Sequence, residues 1–208
     1  SGCADEPVTI NALTPTVTTN VHNAKHDVVT SVPAGTTVHD SVSVTGSDGT
    51  ATGNVIFNWY TNNACSGDPV STSGNFALSG GSADATSFTK GPLNAGSYSF
   101  KAHYNGDSNY NAADGACEPL TVTKVTPNIN TIPNPTTGYV GYTLNDSASL
   151  TGGYTPGGSI VFKLFSPSDS TCSGTATYTD TVSVSGNGDY ATSPGFSANT
   201  SGTWHWTA

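Results

Sequence analysis

The strongest constraint on the fold is that the chain repeats itself. Four segments of a first copy recur in the same order in a second copy: residues 37–46, 53–60, 65–67 and 96–102 against residues 143–152, 158–165, 172–174 and 202–208. In the second pair, GNVIFNWY aligns with GSIVFKLF, and apolar residues coincide behind a shared glycine. Four matches in one order indicate two copies of one domain.

The boundaries of the repeat do not coincide with the ends of the given sequence. The first copy continues to CEPLTVT at residues 117–123, whereas the second copy reaches residue 208 at the earlier match. The segment CADEPVTI at residues 3–10 resembles residues 117–123. We therefore expect three parts: residues 1–14 as the last strand of a preceding or neighbouring sandwich, residues 15–124 as a complete sandwich, and residues 125–208 as a sandwich that lacks its final strand.

Alternation of apolar and polar residues predicts short, half-buried strands. Val55, Phe57 and Trp59 share one face of such a strand, as do the residues at 160, 162 and 164 in the second copy. The chain has 24 Gly and 12 Pro, which favour turns, and abundant Thr and Val, which favour strands. About seven short strands in about 100 residues fit an immunoglobulin-like sandwich. The predicted fold class is all-β, with tandem immunoglobulin-like β-sandwiches.

Charge and hydropathy exclude two classes of partner. The net charge is -9, and the five cations are scattered lysines, so no basic surface for nucleic acid is expected. No apolar run approaches the roughly 20 residues of a membrane-spanning helix. Neither class of partner is predicted.

One stretch resembles a known family. Residues 96–110, GSYSFKAHYNGDSNY, look like the end of bacterial immunoglobulin-like repeats found in large surface and secreted proteins. The Gly-x-(Val/Ile)-x-Phe strands at residues 53–57 and 158–162 also fit that family. The resemblance implies an extracellular bacterial stalk, adhesin or filament segment.

Four cysteines without a CxxC pair favour disulfides in an oxidising compartment over zinc ligands. Repeat comparison pairs Cys65 with Cys117 inside the complete unit, and it leaves Cys3 and Cys172 without partners in their own units. Two interpretations stay open. The partners lie elsewhere in a longer repeat protein, or Cys3 of one molecule joins Cys172 of the next while residues 3–10 add a strand to its sandwich.

Candidate chemistry is sparse. We interpret the five histidines as solvent-facing side chains on strands and loops, and we expect no metal site among them: His22, His26, His39, His103 and His205. A calcium ion in the loop holding Asp107, Asn109 and Asp114 is the one cofactor considered, against an ordinary turn in which these side chains bond locally. No nucleophile elbow, phosphate loop or carboxylate pair is found, so no enzymatic activity is predicted.

The sequence thus predicts a structural repeat unit of an extracellular filament or surface stalk. Its expected partners are copies of itself or adjacent repeats, joined head to tail by strand complementation and disulfides. The alternative is an adhesin that binds a host surface or carbohydrate on exposed aromatic rings, with Tyr60, Tyr104, Tyr110 and Phe165 as candidates.

Overall fold

The computed structural model describes residue 2 and residues 6–208. These residues form seventeen β-strands and no helix, which confirms the all-β prediction. In particular, the described part of the chain holds no helix long and apolar enough to cross a membrane. The chain divides into two compact units, residues 1–124 and residues 125–208.

The first unit contains ten strands. They are, in chain order, β1 (Thr16–Asn23), β2 (Ser31–Pro33), β3 (Val38–Thr45), β4 (Asn54–Tyr60), β5 (Ser71–Thr72), β6 (Phe76–Ala77), β7 (Ser82–Asp84), β8 (Gly96–Tyr104), β9 (Ala113–Asp114) and β10 (Glu118–Thr123).

Two sheets make up the first unit. One has the order β1-β3-β7, and the other has the order β2-β10-β8-β4-β5, with β6 paired to β4 and β9 paired to β8. Side chains alternate as the sequence predicts, because successive residues of a strand point to opposite faces. Val55, Phe57 and Trp59 are buried, and Val42 and Val44 of the facing sheet pack with the first two.

The core of the first unit has two apolar clusters. One surrounds Phe57 and Tyr104, and the other surrounds Trp59, Phe100 and Leu120. Strand β10 supplies Leu120 and Val122 to the second cluster. The last strand is therefore an integral part of this core.

The second unit contains seven strands. They are β11 (Asn128–Asn134), β12 (Thr143–Thr151), β13 (Gly157–Phe165), β14 (Tyr178–Ser185), β15 (Gly188–Ala191), β16 (Phe196–Ser197) and β17 (His205–Thr207).

The sheets of the second unit are smaller. One has the order β11-β12-β15 with β16 also paired to β12, and the other has the order β14-β13-β17. Ile160, Phe162 and Leu164 are buried, as their alternation predicts. The apolar cluster of this unit centres on Ala148, Ile160 and Phe162, and it matches the Phe57 half of the first core.

Candidate functional site

The last strand of the first sandwich lies between two others. Strand β10 runs antiparallel to β8 on one side and parallel to β2 on the other. Its inward side chains, Leu120 and Val122, are 0% and 3% exposed. Both edges and one face of the strand are thus covered.

The corresponding place in the second sandwich is a groove. Strand β17 matches β8 in sequence, and within the described chain it pairs with β13 alone. A groove of about 570 Å³ lies beside it, lined among others by Pro133, Tyr139, Val140, Ala198, Trp204 and Trp206.

The groove is rich in incompletely covered apolar groups. Tyr139 is 78% exposed and Val140 is 59% exposed. Trp206 is half-buried, whereas Phe100, its counterpart in the first sandwich, is completely buried under β10. Apolar surface next to an unpaired strand edge favours pairing with another strand.

The N-terminal segment has the sequence of a last strand, but its described residues 6–10 join no strand. Residues 6–10, EPVTI, have the same spacing as residues 118–122, EPLTV. Val8 and Ile10 are 83% and 87% exposed, although their counterparts Leu120 and Val122 are buried. The segment meets the first sandwich at Leu13, whose N–H donates to the carbonyl of Asn109 at 2.8 Å.

The predicted bond between Cys65 and Cys117 is confirmed, with Cα atoms 5.8 Å apart. Strands β4 and β10 flank β8, so the bond has to cross β8. Cys65 makes this crossing in the left-handed conformation, with φ of 48°. Its N–H donates to Oγ of Ser99 on β8 at 3.2 Å.

Cys172 repeats the conformation of Cys65. Its φ is 53°, and it is a free, half-buried thiol among the described cysteines. Its predicted partner Cys3 lies outside the described residues, so their pairing stays a prediction.

The calcium candidates are committed to other bonds. Asp107 accepts hydrogen bonds from the N–H groups of Thr52 and Asn109, which hold the pKa of its carboxyl far below its ordinary value. Asp114 pairs with Lys101 at 2.7 Å and with His103 at 2.6 Å. Asn109 also donates its N–H to Asp107, as in an ordinary Asx turn.

The interpretation of four aromatic rings as exposed platforms is wrong. Tyr60, Tyr104, Tyr110 and Phe165 are each at most 6% exposed. These rings fill space in the sandwiches; Tyr110, for example, lies where a Cβ on Gly46 would come within 2.1 Å of its ring. Because these four rings are buried, none of them offers a face on which a sugar can stack.

The histidines are not all solvent-facing, and for His39 that interpretation is wrong. His39 is 4% exposed, and its ring lies 5.6 Å from that of His22 and 4.9 Å from that of His26. Burial lowers the pKa of His39, and the charge of nearby Asp84 opposes this effect. His103 pairs with Asp114 instead, and His205 lies on β17.

Sequence reasoning missed this cluster because its members lie 4, 13 and 45 residues apart along the chain, at positions 22, 26, 39 and 84. His22 and His39 meet because β1 and β3 pair in a register that makes them direct partners, and the sequence alone does not give that register.

Comparison with known proteins gives a family match over most of the first sandwich. Residues 25–123 match the family model of the bacterial Ig-like domain, group 3. No curated protein matches the chain. Among solved structures, the chain is similar to the fibronectin(III)-like modules of Clostridium thermocellum CbhA, with 14% identity, a TM-score of 0.30, and coverage of 82% of this chain and 77% of that chain. A TM-score this low does not define a shared fold.

Proposed function

We propose that this chain, in which residues 25–123 match the bacterial Ig-like domain of group 3, is a structural, non-catalytic module of an extracellular bacterial stalk or filament. Tandem sandwiches and proline-rich segments suit a stiff spacer. The Cys65–Cys117 disulfide fits an oxidising compartment.

We propose further that the modules join head to tail by strand complementation. The observation that carries this proposal is the match between an exposed apolar segment, residues 6–10, and an apolar groove beside β17. The segment of one molecule would lie against β17 of the next, as β10 lies against β8. Cys3 would then stand near Cys172, as Cys117 stands near Cys65.

The burial of apolar side chains favours this addition of a strand. Burying Val8 and Ile10 in the groove is worth about 1.5–3 kcal/mol for each side chain, and backbone hydrogen bonds to β17 add to this. The contact joins two different surfaces, so it leaves a free groove at one end and a free segment at the other. Repetition of a contact of this kind produces an open fibre when the rotation between successive copies does not close a ring.

Gel electrophoresis of the purified chain tests the covalent part of the proposal. The expected result is a ladder of oligomers without reductant that collapses to one band with reductant. Cys172→Ser should abolish the ladder, whereas fibres should still form in electron micrographs. A monomer in both lanes, together with micrographs that show single particles, would contradict assembly between copies.

A peptide experiment tests strand acceptance separately. In a chain carrying Val8→Asp and Ile10→Asp, the groove has no competing donor, and a synthetic peptide of residues 1–12 should bind one per chain. Hydrogen exchange at the amides of residues 205–207 should slow on binding. Val70→Asp, at a site 64% exposed, is the matched control and should leave assembly intact. Absence of both binding and protection would refute the groove as an acceptor.

A further inference from the structure

Four side chains with metal-binding atoms meet on the outer face of the first sandwich. His22 on β1 and His39 on β3 are direct partners in the antiparallel register. Asp84 on β7 pairs with Ser41, two residues along β3 from His39, and therefore shares its face of the sheet. His26 reaches the same place from the turn that follows β1.

His39 is buried on a face where the alternation predicts exposure. Its neighbours Val38 and Asp40 point inward and are fully buried, so His39 points outward. It is nevertheless 4% exposed, because the rings of His22 and His26 cover it. The cluster therefore shields its own centre from water.

The distances suit a small tetrahedral centre. Oδ1 of Asp84 lies 3.0 Å from Nε2 of His39, and Oδ2 lies 3.3 Å from Nδ1 of His26. All four candidate ligand atoms lie within 4.8 Å of one another. Zinc bonds of about 2.0–2.2 Å place tetrahedral ligand atoms roughly 3.3–3.6 Å apart, so no distance between two ligand atoms has to shorten by more than about 1.5 Å.

Two ring nitrogens of the cluster have no hydrogen-bond partner within the described chain. Nδ1 of His22 and Nε2 of His39 are buried and unsatisfied. The 3.0 Å contact of His39 with Asp84 lacks the angle of a hydrogen bond, so a shared proton does not explain it. Buried polar atoms are normally paired, and an unpaired one in a native fold calls for an explanation such as an ion.

The turn that carries His26 is held in place by hydrogen bonds even without a bound ion. Oδ1 of Asn23 accepts hydrogen bonds from the N–H groups of Lys25 at 2.8 Å and Asp27 at 3.1 Å. Within this turn His26 adopts the left-handed conformation, with φ of 61°. A ligand held by a rigid turn loses little entropy when an ion binds.

We propose that His22, His26, His39 and Asp84 form a zinc site. Imidazole nitrogens select zinc and related transition metals, whereas calcium and magnesium take oxygen ligands. Four protein ligands describe a closed, structural site rather than a catalytic one. The ion would tie β1, its turn, β3 and β7 together across the first sheet. His26 and Asp84 are partly exposed and provide the entry path.

The second sandwich contains no equivalent cluster. Asn145 aligns with His39, and the same strand register places Asn134 opposite it and Ala191 opposite Ser147. These residues stand where the first sandwich has His22 and Asp84. The second sandwich is therefore an internal control that should not bind zinc. The expected stoichiometry is one zinc ion per chain.

Calorimetric titration of the metal-free full chain with zinc chloride tests the proposal. We expect saturable binding of one ion, no binding of calcium at this site, and a higher melting temperature of the first sandwich with zinc. Cobalt in place of zinc should give the visible absorption of a tetrahedral site. The absence of saturable zinc binding would overturn the proposal.

Two variants locate the site without threatening the fold. His26→Asn retains a residue that tolerates the left-handed conformation, and Asp84→Asn changes a partly exposed side chain. Each should weaken zinc binding at least about tenfold, since losing even an outer-shell partner costs about 10–100-fold. His205→Asn, in the second sandwich, is the control and should leave binding unchanged. Full-strength binding in both cluster variants would also overturn the proposal.

Discussion

Asp40 of the first sandwich and Asp146 of the second occupy the same inward position on matching strands, and both are almost fully buried. In each, Oδ1 accepts the N–H of the following serine, at 2.9 Å and 3.0 Å, and Oδ2 has no hydrogen-bond partner in the described chain. Burial raises the pKa of Asp40 to about 8 and also raises the pKa of Asp146. The repeat thus preserves a buried carboxyl group whose pKa is raised by burial.

Asp40 should make the stability of the first sandwich depend on pH. Its pKa is raised on folding, so the folded state binds more protons between about pH 4 and pH 8, and the free energy of unfolding should fall as pH rises through that window. Asp40→Asn should flatten this dependence. Urea unfolding in a chelator at several pH values measures it by tryptophan fluorescence, since Trp59 is the only tryptophan left after Trp204→Phe and Trp206→Phe.

The control for this prediction is Asp68→Asn, which changes an exposed carboxylate of the same sandwich. It should leave the pH dependence as it is in the parent chain. An Asp40→Asn variant with an unchanged slope would show that Asp40 is ionised in the folded state.

Loss of the Cys65–Cys117 disulfide should strongly destabilise the first sandwich. The bond closes a loop of 52 residues, and a loop of this length is worth roughly 4 kcal/mol in the chain-entropy model. Cys65→Ser with Cys117→Ser should lower the free energy of urea unfolding by about that amount. Cys172→Ser should have no effect on this transition, and an equal effect of both changes would contradict the assignment.

Removing the hydroxyl of Tyr110 should destabilise the first sandwich by about 1 kcal/mol. The hydroxyl donates to the carbonyl of Asp48 and accepts the N–H of the same residue at 3.0 Å, so Tyr110→Phe loses both bonds. Tyr98→Phe loses one exposed hydrogen bond, to the carbonyl of Asn94, and is the control. Equal melting temperatures of the parent chain and Tyr110→Phe would contradict the prediction.

Truncation of two residues in equivalent sequence positions should affect the free energy of unfolding differently. Leu120→Ala empties a fully buried site and should cost about 2–5 kcal/mol in the free energy of unfolding. Val8→Ala changes a side chain that is 83% exposed and should leave the unfolding of the monomer unchanged. Destabilisation of the monomer by Val8→Ala would mean that the N-terminal segment packs on its own sandwich, which contradicts the proposed assembly.

Sequence periodicity located most strands and their inward faces. Phe57, Trp59 and Phe162 were assigned to the core because a pleated strand alternates its side chains, and this alternation is local. Repeat comparison also identified Cys117 as the partner of Cys65. The complete first copy contains both cysteines, whereas the second copy contains only Cys172, the counterpart of Cys65. Such inferences need only the order of residues along the chain.

The burial of individual aromatic side chains is harder to predict from the sequence. Tyr104 lies on a strand that alternates, but Tyr110 lies in a loop, where no period applies. Its ring is buried because the loop folds back onto Gly46, a contact between residues far apart in the chain. Exposure in loops depends on such distant contacts, so the aromatic platforms were predicted wrongly.

By itself the sequence determined two β-sandwich copies, their inward faces and the Cys65–Cys117 pair. Only the tertiary structure decided that His22 faces His39, that His26 closes over them, and that Asp84 completes the group. The physical reason is register: a period of two residues tells which face a side chain takes, but the pairing of strands decides which side chains meet across the sheet.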